Sequence, residues 1–233
     1  MPARADARLA VIIPAYQAAA TVAGVVTAAR AAAPGARVYV VDDGSRDATA
    51  ALAGGAGATV LGHHRNLGKG AALATGFARA LAGHADVLVT LDADGQHPAA
   101  EIPRVAAPVL VGAADLVLGA RARTGDMPLS RRFTNWLSAA LASRIGGAAV
   151  VDAQTGFRAI SRRLADAVRP SQTGYDFETA FLLAALAGGY RVQTAPIPTI
   201  YQGARSHFRH WSDTWRQARV FARYGRHILF GVR

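Results

Sequence analysis

Residues 87–98 read VLVTLDADGQHP, an apolar run that ends in two aspartates separated by one alanine. A short apolar run is typical of a strand buried on both faces of a parallel sheet. Asp92 and Asp94 then lie at the carboxyl end of that strand, where neighbouring carboxylates repel each other unless a cation lies between them. The stretch therefore predicts a buried strand leading into a metal site, which Gln96 extends. A solvated turn with helix-capping aspartates is the alternative for an isolated Asp-x-Asp.

The same pattern recurs upstream, where apolar runs alternate with Ala-rich helical segments. Strands are predicted at residues 9–14, 37–41, 59–61, 87–91 and 116–118, and helices at 18–33, 48–54, 70–81 and 98–111. This alternation predicts an α/β fold with a Rossmann-like, mostly parallel sheet covered by helices on both faces. Ligands of such sheets bind beyond the carboxyl ends of the strands. We therefore expect one site to contain Pro14, Tyr16, Asp42, Asp43, Asp92 and Asp94.

The pattern changes after residue 125. A helix is predicted at 130–144, a turn-rich stretch at 152–158, a helix at 176–187 and an edge strand with two prolines at 190–201. We expect residues 1–204 to form one domain, with a donor half over about 9–120 and an acceptor half over about 121–204.

Two upstream segments suggest ligand contacts of different kinds. The carboxylates of Asp42 and Asp43 could accept hydrogen bonds from ribose hydroxyls or a base, although capping of the next helix is the alternative for one acidic residue. The segment NLGKG at 66–70 is similar to a phosphate loop but lacks Walker A spacing. Lys69 would offset the charge of a diphosphate there; a Gly-rich helix start is an equally good interpretation.

Composition limits the partners. The 233-residue chain has a formal net charge of +11 and no cysteine, which excludes disulfides and thiolate metal sites. The positive charge favours a phosphate-bearing partner such as a nucleotide, a nucleic acid or an anionic lipid. Aspartates at the strand ends would repel a nucleic-acid backbone, so we expect no nucleic acid. No run reaches the roughly 18 apolar residues of a membrane span, and residues 1–8 carry no signal peptide.

The C-terminal residues 205–233 contain seven arginines and one acid, Asp213. If residues 211–230 form a helix, Trp211 and Trp215 share one face, with arginines beside it. Aromatic residues flanked by arginines are typical of an interfacial helix on anionic lipid. We expect a basic amphipathic helix that anchors a cytoplasmic protein peripherally to the cytoplasmic face of the membrane; packing of the Trp face on the domain is the alternative.

Five motifs occur in order: IIPAY (12–16), VVDDGS (40–45), NLGKGAAL (66–73), LDADGQHP (91–98) and TGFRAI (155–160). Together they resemble the family 2 glycosyltransferases of the GT-A fold, and among these the dolichyl-phosphate mannose synthase-like branch. The resemblance implies an inverting, Mg²⁺- or Mn²⁺-dependent transfer of a sugar from a GDP- or UDP-sugar to a polyprenyl phosphate. One departure is the segment Gln17-Ala18-Ala19, since many relatives carry Asn or Glu after the tyrosine.

The resemblance also implies residue roles. The implied nucleotide contacts are Pro14, Tyr16, Asp42, Asp43 and Asp92, to which the charge argument adds Lys69. The implied metal ligands are Asp94 and Gln96 beside Asp92. The implied contacts to the acceptor phosphate are Arg121, Arg131 and Asn135. The predicted catalytic residues are Asp94, Asp152 and Glu178.

The acceptor determines whether a base is needed. A phosphate acceptor is already anionic, whereas a hydroxyl must lose a proton to a carboxylate. Asp152, Asp176 and Glu178 could serve, although acidic residues at a helix N-terminus also stabilise the helix dipole. The alternative function is therefore transfer by the same fold to a hydroxyl of a glycolipid or another lipid. A sugar nucleotidyltransferase would need a Gly-rich basic loop after the first strand, and PAYQ is not one.

Overall fold

A computed structural model describes residues 7–121, 155–174 and 176–198 of the chain. Its strands are β1 (Leu9–Ala15), β2 (Arg37–Asp42), β3 (Thr59–Gly62), β4 (Val87–Thr90), β5 (Leu116–Arg121), β6 (Arg158–Ser161) and β7 (Val192–Ile197). Its α-helices are α1 (Val22–Ala32), α2 (Thr49–Gly55), α3 (Lys69–Ala82), α4 (Ile102–Leu110), α5 (Arg162–Ala167) and α6 (Asp176–Ala187).

The described strands form one sheet in the order β3-β2-β1-β4-β6-β5-β7. Strands β1, β2, β3 and β4 are parallel to one another, and β5 is parallel to β7. Only β6, among these strands, runs antiparallel to its neighbours β4 and β5. The prediction of a mostly parallel sheet is confirmed, and β7, which contains Pro196, lies at an edge as predicted.

Alternation along β1 divides the core between the two faces of the sheet. Val11 and Ile13 belong to a hydrophobic cluster that includes the buried faces of α1 and α4. Ala10 and Ile12 belong to a second cluster, to which α3 and α6 contribute Phe77, Phe177 and Phe181. Helices therefore cover both faces, as predicted.

The first helix begins later than predicted. It starts at Val22, and residues 18–21 form a turn. The amide of Ala18 donates to the Thr49 hydroxyl (2.8 Å) and the amide of Ala19 donates to the Asp47 carboxylate (3.1 Å). These tertiary hydrogen bonds override the helix propensity of the alanines. The helix predicted over 98–111 likewise opens with a 3₁₀ turn at Ala99–Glu101 before α4.

The sequence patterns missed β6 and α5. The sequence predicts a turn-rich stretch through residue 158, yet Arg158 begins β6 and is only 2% exposed. A buried arginine interrupts the apolar pattern that identifies strands, and β6 has only four residues. The helix predicted over 130–144, the turn residues 152–154 and the end of the strand predicted over 190–201 lie outside the described residues.

The strand directions determine which residues meet at the edge of the sheet that is formed by the carboxyl ends of its parallel strands. Strands β1, β2 and β4 are parallel, so Ala15, Asp42 and Thr90 all end there. Antiparallel β6 starts at that edge, with Arg158 opposite Thr90. Strand β5 is antiparallel to β6 and ends at the same edge with Arg121, of which the backbone is described.

Candidate active site

Asp92 lies two residues beyond β4, and its carboxylate contacts two basic side chains. Lys69 Nζ is 2.6 Å from Oδ1, and His97 Nε2 is 3.5 Å from Oδ2. Burial alone would raise the pKa of Asp92, but Lys69 and His97 outweigh it and hold the pKa well below its ordinary value. Asp92 is therefore an anion, positioned by the chain itself.

Lys69 is the first residue of α3, and its ammonium bridges two carboxylates. Besides Asp92 it contacts Glu178, with Nζ 3.1 Å from Oε1. Burial would lower the pKa of Lys69, but Asp92 and Glu178 reverse the effect and raise it above its ordinary value. One buried cation between two carboxylates leaves the cluster with a net negative charge if both carboxylates are ionised.

Glu178 lies in the first turn of α6 and is 5% exposed. Its burial raises the pKa of its carboxyl group, and the opposing charge of Lys69 counteracts this only in part. Arg158 fixes the backbone of the same turn: its Nη1 donates to the carbonyl oxygen of Glu178 (2.7 Å), and its Nε donates to that of Thr155 (2.8 Å). Helix α6 thus contributes a buried carboxyl group, on a backbone held by Arg158, to the Asp92 cluster.

Gly156 lies against the Asp92 carboxylate. A Cβ atom built at this glycine would overlap both carboxylate oxygens of Asp92. The position is fixed by the Thr90 hydroxyl, which donates to the carbonyl oxygen of Gly156 (2.7 Å). Any larger residue would displace the carboxylate, so Gly156 helps to define its position.

Asp94 presents a differently placed carboxylate. It is half-buried, and its Oδ1 accepts a hydrogen bond from the backbone amide of Gln96 (2.9 Å). Among the described residues no group of three or more His, Cys, Asp or Glu side chains converges as a metal cage. Mg²⁺ usually binds one or two protein carboxylates together with substrate phosphates. The side-chain oxygens of Asp92, Asp94 and Gln96 are of the kind that such an ion would need beside a diphosphate.

The two aspartates at the end of β2 differ in their surroundings. Asp43 accepts hydrogen bonds from His63 Nδ1 (2.7 Å) and from the amides of Leu67 (2.9 Å) and Gly68 (2.8 Å). Asp42 accepts the amide of Ser45 through Oδ1 (3.2 Å). Asp43 thus already binds the segment that precedes α3, whereas Oδ2 of Asp42 has no partner among the described residues.

Residues at the end of β1 complete this edge. Pro14 is buried, and Tyr16 is 50% exposed. Gln17 has a positive φ of 51°. Its amide donates to the Ser45 hydroxyl (2.9 Å), and its side-chain oxygen accepts the amides of Arg46 (2.9 Å) and Asp47 (3.2 Å). Gln17, at which the sequence departs from many relatives, therefore connects the end of β1 to the segment after β2 through these hydrogen bonds.

Comparison with known sequences decides the family. The family description "Glycosyl transferase family 2" matches residues 10–169. The chain belongs to glycosyl transferase family 2. It is a glycosyltransferase, as the ordered motifs predict.

Two relatives of this glycosyltransferase carry the name of a lipid phosphate. An undecaprenyl-phosphate mannosyltransferase of Micrococcus luteus is 31% identical over 82% of this chain and 82% of its own length. A UDP-N-acetylglucosamine–dolichyl-phosphate N-acetylglucosaminyltransferase of Methanococcus voltae is 32% identical over 60% of this chain and 58% of its own. The two names share the class of acceptor and differ in the sugar.

A solved structure supports the fold. Glucosyl-3-phosphoglycerate synthase of Mycobacterium tuberculosis, crystallised with Mn²⁺, UDP and glucosyl-3-phosphoglycerate, superimposes with a TM-score of 0.79 at 23% identity. The match covers 95% of this chain and 81% of that one. At this identity the likeness shows that the glycosyltransferase has the same fold.

The glycosyltransferase motif NLGKG is a Gly-rich helix start rather than an open phosphate loop. The amides of Gly70 and Ala71 both donate to the carbonyl oxygen of Thr173, at 2.8 and 3.2 Å. The backbone approach that the glycines permit is thus made by residues 172–174 of the chain itself. The predicted role of Lys69 at a diphosphate stays a prediction.

Two features near the site have no signal in the sequence patterns. A cavity of about 300 Å³ is lined by Gly62, His63, His64, Arg65 and Leu67, beside the end of β3. The bridge between Lys69 and Glu178 was also missed, because the partners are distant in sequence.

The remaining predicted site residues of this glycosyltransferase are not described in their side chains. Asp152, Arg131 and Asn135 lie outside the described residues, as does the C-terminal segment 205–233. The backbone of Arg121 lies at the same edge of the sheet as Asp92. The roles of these residues stay predictions.

Proposed function

We propose that this glycosyltransferase is metal-dependent and moves a sugar from a nucleoside diphosphate sugar to a polyprenyl phosphate, with inversion at the anomeric carbon. The observation that carries the proposal is the meeting of Tyr16, Asp42 and the Asp92–Asp94 segment at one edge of the sheet. This edge is the place where parallel α/β sheets bind ligands.

The nucleoside would lie over the ends of β1 and β2. The exposed ring of Tyr16 offers a stacking surface, and Asp42 retains a carboxylate oxygen for a ribose hydroxyl or base donor. The cavity beside His63 and Arg65 is large enough for a planar ring system. Asp43 supports this region from behind by holding residues 67–68.

The diphosphate would lie beside Asp92 and Asp94. Asp94 and Gln96, with Asp92, would hold Mg²⁺ or Mn²⁺, which would neutralise charge on the departing diphosphate. Asp92 is kept ionised by Lys69 and His97, so it is ready to accept hydrogen bonds or to ligate without losing a proton first.

The acceptor would approach from the residues after β5. A phosphate oxygen of the acceptor attacks the anomeric carbon while the bond from that carbon to the diphosphate oxygen breaks, which gives inversion. Arg121, Arg131 and Asn135 are predicted to bind the acceptor phosphate during this step. The named relatives favour a phosphate acceptor, and Glu178 is buried against a cation instead of facing solvent as a free base.

The class of acceptor also bears on where in the cell the protein works. No helix among residues 7–121, 155–174 and 176–198 is long and apolar enough to cross a bilayer. We propose that the protein works at the cytoplasmic face of the membrane, where segment 205–233 and the lipid acceptor would hold it peripherally.

The proposal is tested by binding and transfer assays on the purified chain. Thermal shifts with UDP- and GDP-sugars, with and without Mn²⁺, should identify one donor whose stabilisation requires the ion. Asp94→Ala should abolish that Mn²⁺-dependent stabilisation, while Asp166→Asn, which alters an exposed carboxylate on α5, should behave as the unmodified chain does.

Transfer is then measured to a polyprenyl phosphate and to the corresponding polyprenol. Product from the phosphate alone is the expected result, and product from the alcohol would establish the hydroxyl-acceptor alternative instead. Nucleotide binding that ignores Mn²⁺ and survives Asp94→Ala would refute the metal-dependent donor site.

A further inference from the structure

The strongest unassigned feature of the chain is the ionic bridge from α6 to Asp92. Glu178 Oε1 lies 3.1 Å from Lys69 Nζ, which lies 2.6 Å from Asp92 Oδ1. All three side chains are largely buried, with 7%, 16% and 21% of their side-chain surfaces exposed. Buried charges attract each other more strongly than exposed ones because solvent screens them less.

The bridge joins the two halves of the domain. Lys69 opens α3 in the donor half, and Glu178 lies in the first turn of α6 in the acceptor half. The same two segments are joined through the backbone, since Gly70 and Ala71 donate to the carbonyl oxygen of Thr173. The position of Lys69 is therefore set jointly by both halves.

Glu178 is held more firmly than a base that must accept a substrate proton. Its backbone carbonyl receives Arg158 Nη1, and its carboxylate faces Lys69. Lys69 in turn contacts the Asp92 oxygen that lies on the side away from His97. Lys69 therefore connects Glu178 to the carboxylate of Asp92, which lies just after β4.

We propose that Glu178 is a positioning residue that acts through Lys69: it shares the ammonium with Asp92 and so fixes where Lys69 and the Asp92 carboxylate lie for binding of the metal–diphosphate group. The inference rests on the proposed function, because it assigns Asp92 to the donor site. Without the Glu178 carboxylate, Lys69 would lose its ion pair to α6, and the position of its ammonium against Asp92 would change.

The test is a double-mutant cycle on the full chain. Titration calorimetry with UDP and with GDP, each in Mn²⁺, is performed on the unmodified chain, Glu178→Gln, Lys69→Met and the double variant. Glu178→Gln keeps the side-chain shape and should weaken diphosphate binding about five- to tenfold, a size typical of coupled neighbours. In the Lys69→Met background the same change should have little further effect.

Kinetics separate positioning from proton transfer. Glu178→Gln should raise the KM for the sugar donor and the Mn²⁺ concentration for half-maximal activity, with kcat at saturation nearly unchanged. A general base would instead show its loss in kcat. Lys69→Arg, which keeps the positive charge, should restore most of the affinity lost in Lys69→Met, and Asp166→Asn serves as the carboxylate-to-amide control on another helix.

The outcomes are distinguishable. Unchanged diphosphate binding by folded Glu178→Gln, or an equal loss with and without Lys69, overturns the positioning role and leaves the proposed function intact. Failure of the unmodified chain to bind either diphosphate overturns the proposed donor class and this inference with it. Glu178→Gln alone decides the matter if thermal unfolding shows that Lys69→Met does not fold.

Discussion

At the scale of single residues, the carboxylate of Asp92 is defined by contacts on several sides. Lys69 and His97 supply positive or hydrogen-bonding partners, and Gly156 leaves the space that the carboxylate occupies. A buried carboxylate is stable only when such partners are present. The chain therefore fixes the position of this group before a ligand arrives, which is the condition for binding a transition state closely.

Gly156→Ala should move the Asp92 carboxylate, because the added Cβ would overlap both of its oxygens. We expect Mn²⁺-dependent diphosphate binding, measured by calorimetry, to weaken about 10- to 100-fold, as small displacements of reacting groups do. Gly55→Ala is the matched control, since a Cβ there meets nothing within 4 Å. Equal affinity in Gly156→Ala and the unmodified chain would show that the space beside Asp92 is not needed.

Some of this site could be predicted from sequence and some could not. The sequence predicts Asp42 and Asp92 at one edge because each follows an apolar run, and parallel strands end together. The partnership of Lys69 with Glu178 depends on how α3 and α6 lie over the sheet, which no local pattern encodes. The same holds for Gly156, whose importance comes from a carboxylate distant in the chain.

At the scale of elements, the beginning of α3 is a joint, meaning that hydrogen bonds hold it to two distant parts of the chain. Its first amides are capped by the carbonyl oxygen of Thr173 instead of by a side chain, and the preceding amides of Leu67 and Gly68 are bound by Asp43. Unsatisfied amides at a helix start must find partners. Here the partners are Asp43, which follows β2, and Thr173, which precedes α6, so the helix start connects two distant parts of the chain.

Gly70→Ala tests this joint. Alanine favours helix by about 1 kcal/mol over glycine, yet a Cβ at residue 70 would lie 2.7 Å from Phe177 Cβ and 2.8 Å from the carbonyl oxygen of Gln172. We expect overpacking to prevail and unfolding free energy to fall by about 1–3 kcal/mol, measured by denaturant unfolding.

The matched control for this change is Gly24→Ala in α1, where a Cβ meets nothing within 4 Å. That variant should be more stable by about 0.5–1 kcal/mol. A stabilising effect of both alanines would mean that residues 172–177 move aside without cost, and that the joint is loose.

Elements were predictable where burial and periodicity agree. The parallel strands read as apolar runs, and α6 was predicted with the bounds that it has. The start of α1 was misplaced because side chains after β2 bind the amides of Ala18 and Ala19. Strand β6 was missed because its first residue is an arginine that is buried for its hydrogen bonds to backbone carbonyls.

At the scale of the whole molecule, the two ends of the sheet carry different charge arrangements. The site end holds Asp42, Asp92 and Asp94, which can meet a cation. The opposite end holds Asp115, whose carboxylate accepts Arg163 Nη2 (2.9 Å), the Arg191 amide (3.0 Å) and Arg191 Nε (3.3 Å). Arg163 and Arg191 thus pair with the Asp115 carboxylate, so its charge stabilises this end of the sheet.

The charge of Asp115 should make the free energy of unfolding depend on pH in the acid range. Burial alone would raise the pKa of Asp115, but Arg163 and Arg191 outweigh it and hold the pKa below its ordinary value, which is about 3.9. A carboxyl group with a lowered folded pKa contributes its full stability above the unfolded value and loses it as pH falls through the folded one. Asp115→Asn should therefore cost about 1–2 kcal/mol at neutral pH, a modest figure because both guanidinium groups are largely exposed.

The measurement is thermal unfolding of the unmodified chain and Asp115→Asn from neutral pH to below about pH 4, compared with Asp166→Asn, whose ion pair to Arg162 is half-exposed. The difference between the first two chains should shrink on acidification, because the unmodified Asp115 then becomes neutral as well. Asp166→Asn should show a difference below about 0.5 kcal/mol throughout. A gap for Asp115→Asn that stays constant with pH would mean that the side chain stabilises this end of the sheet by shape and not by charge.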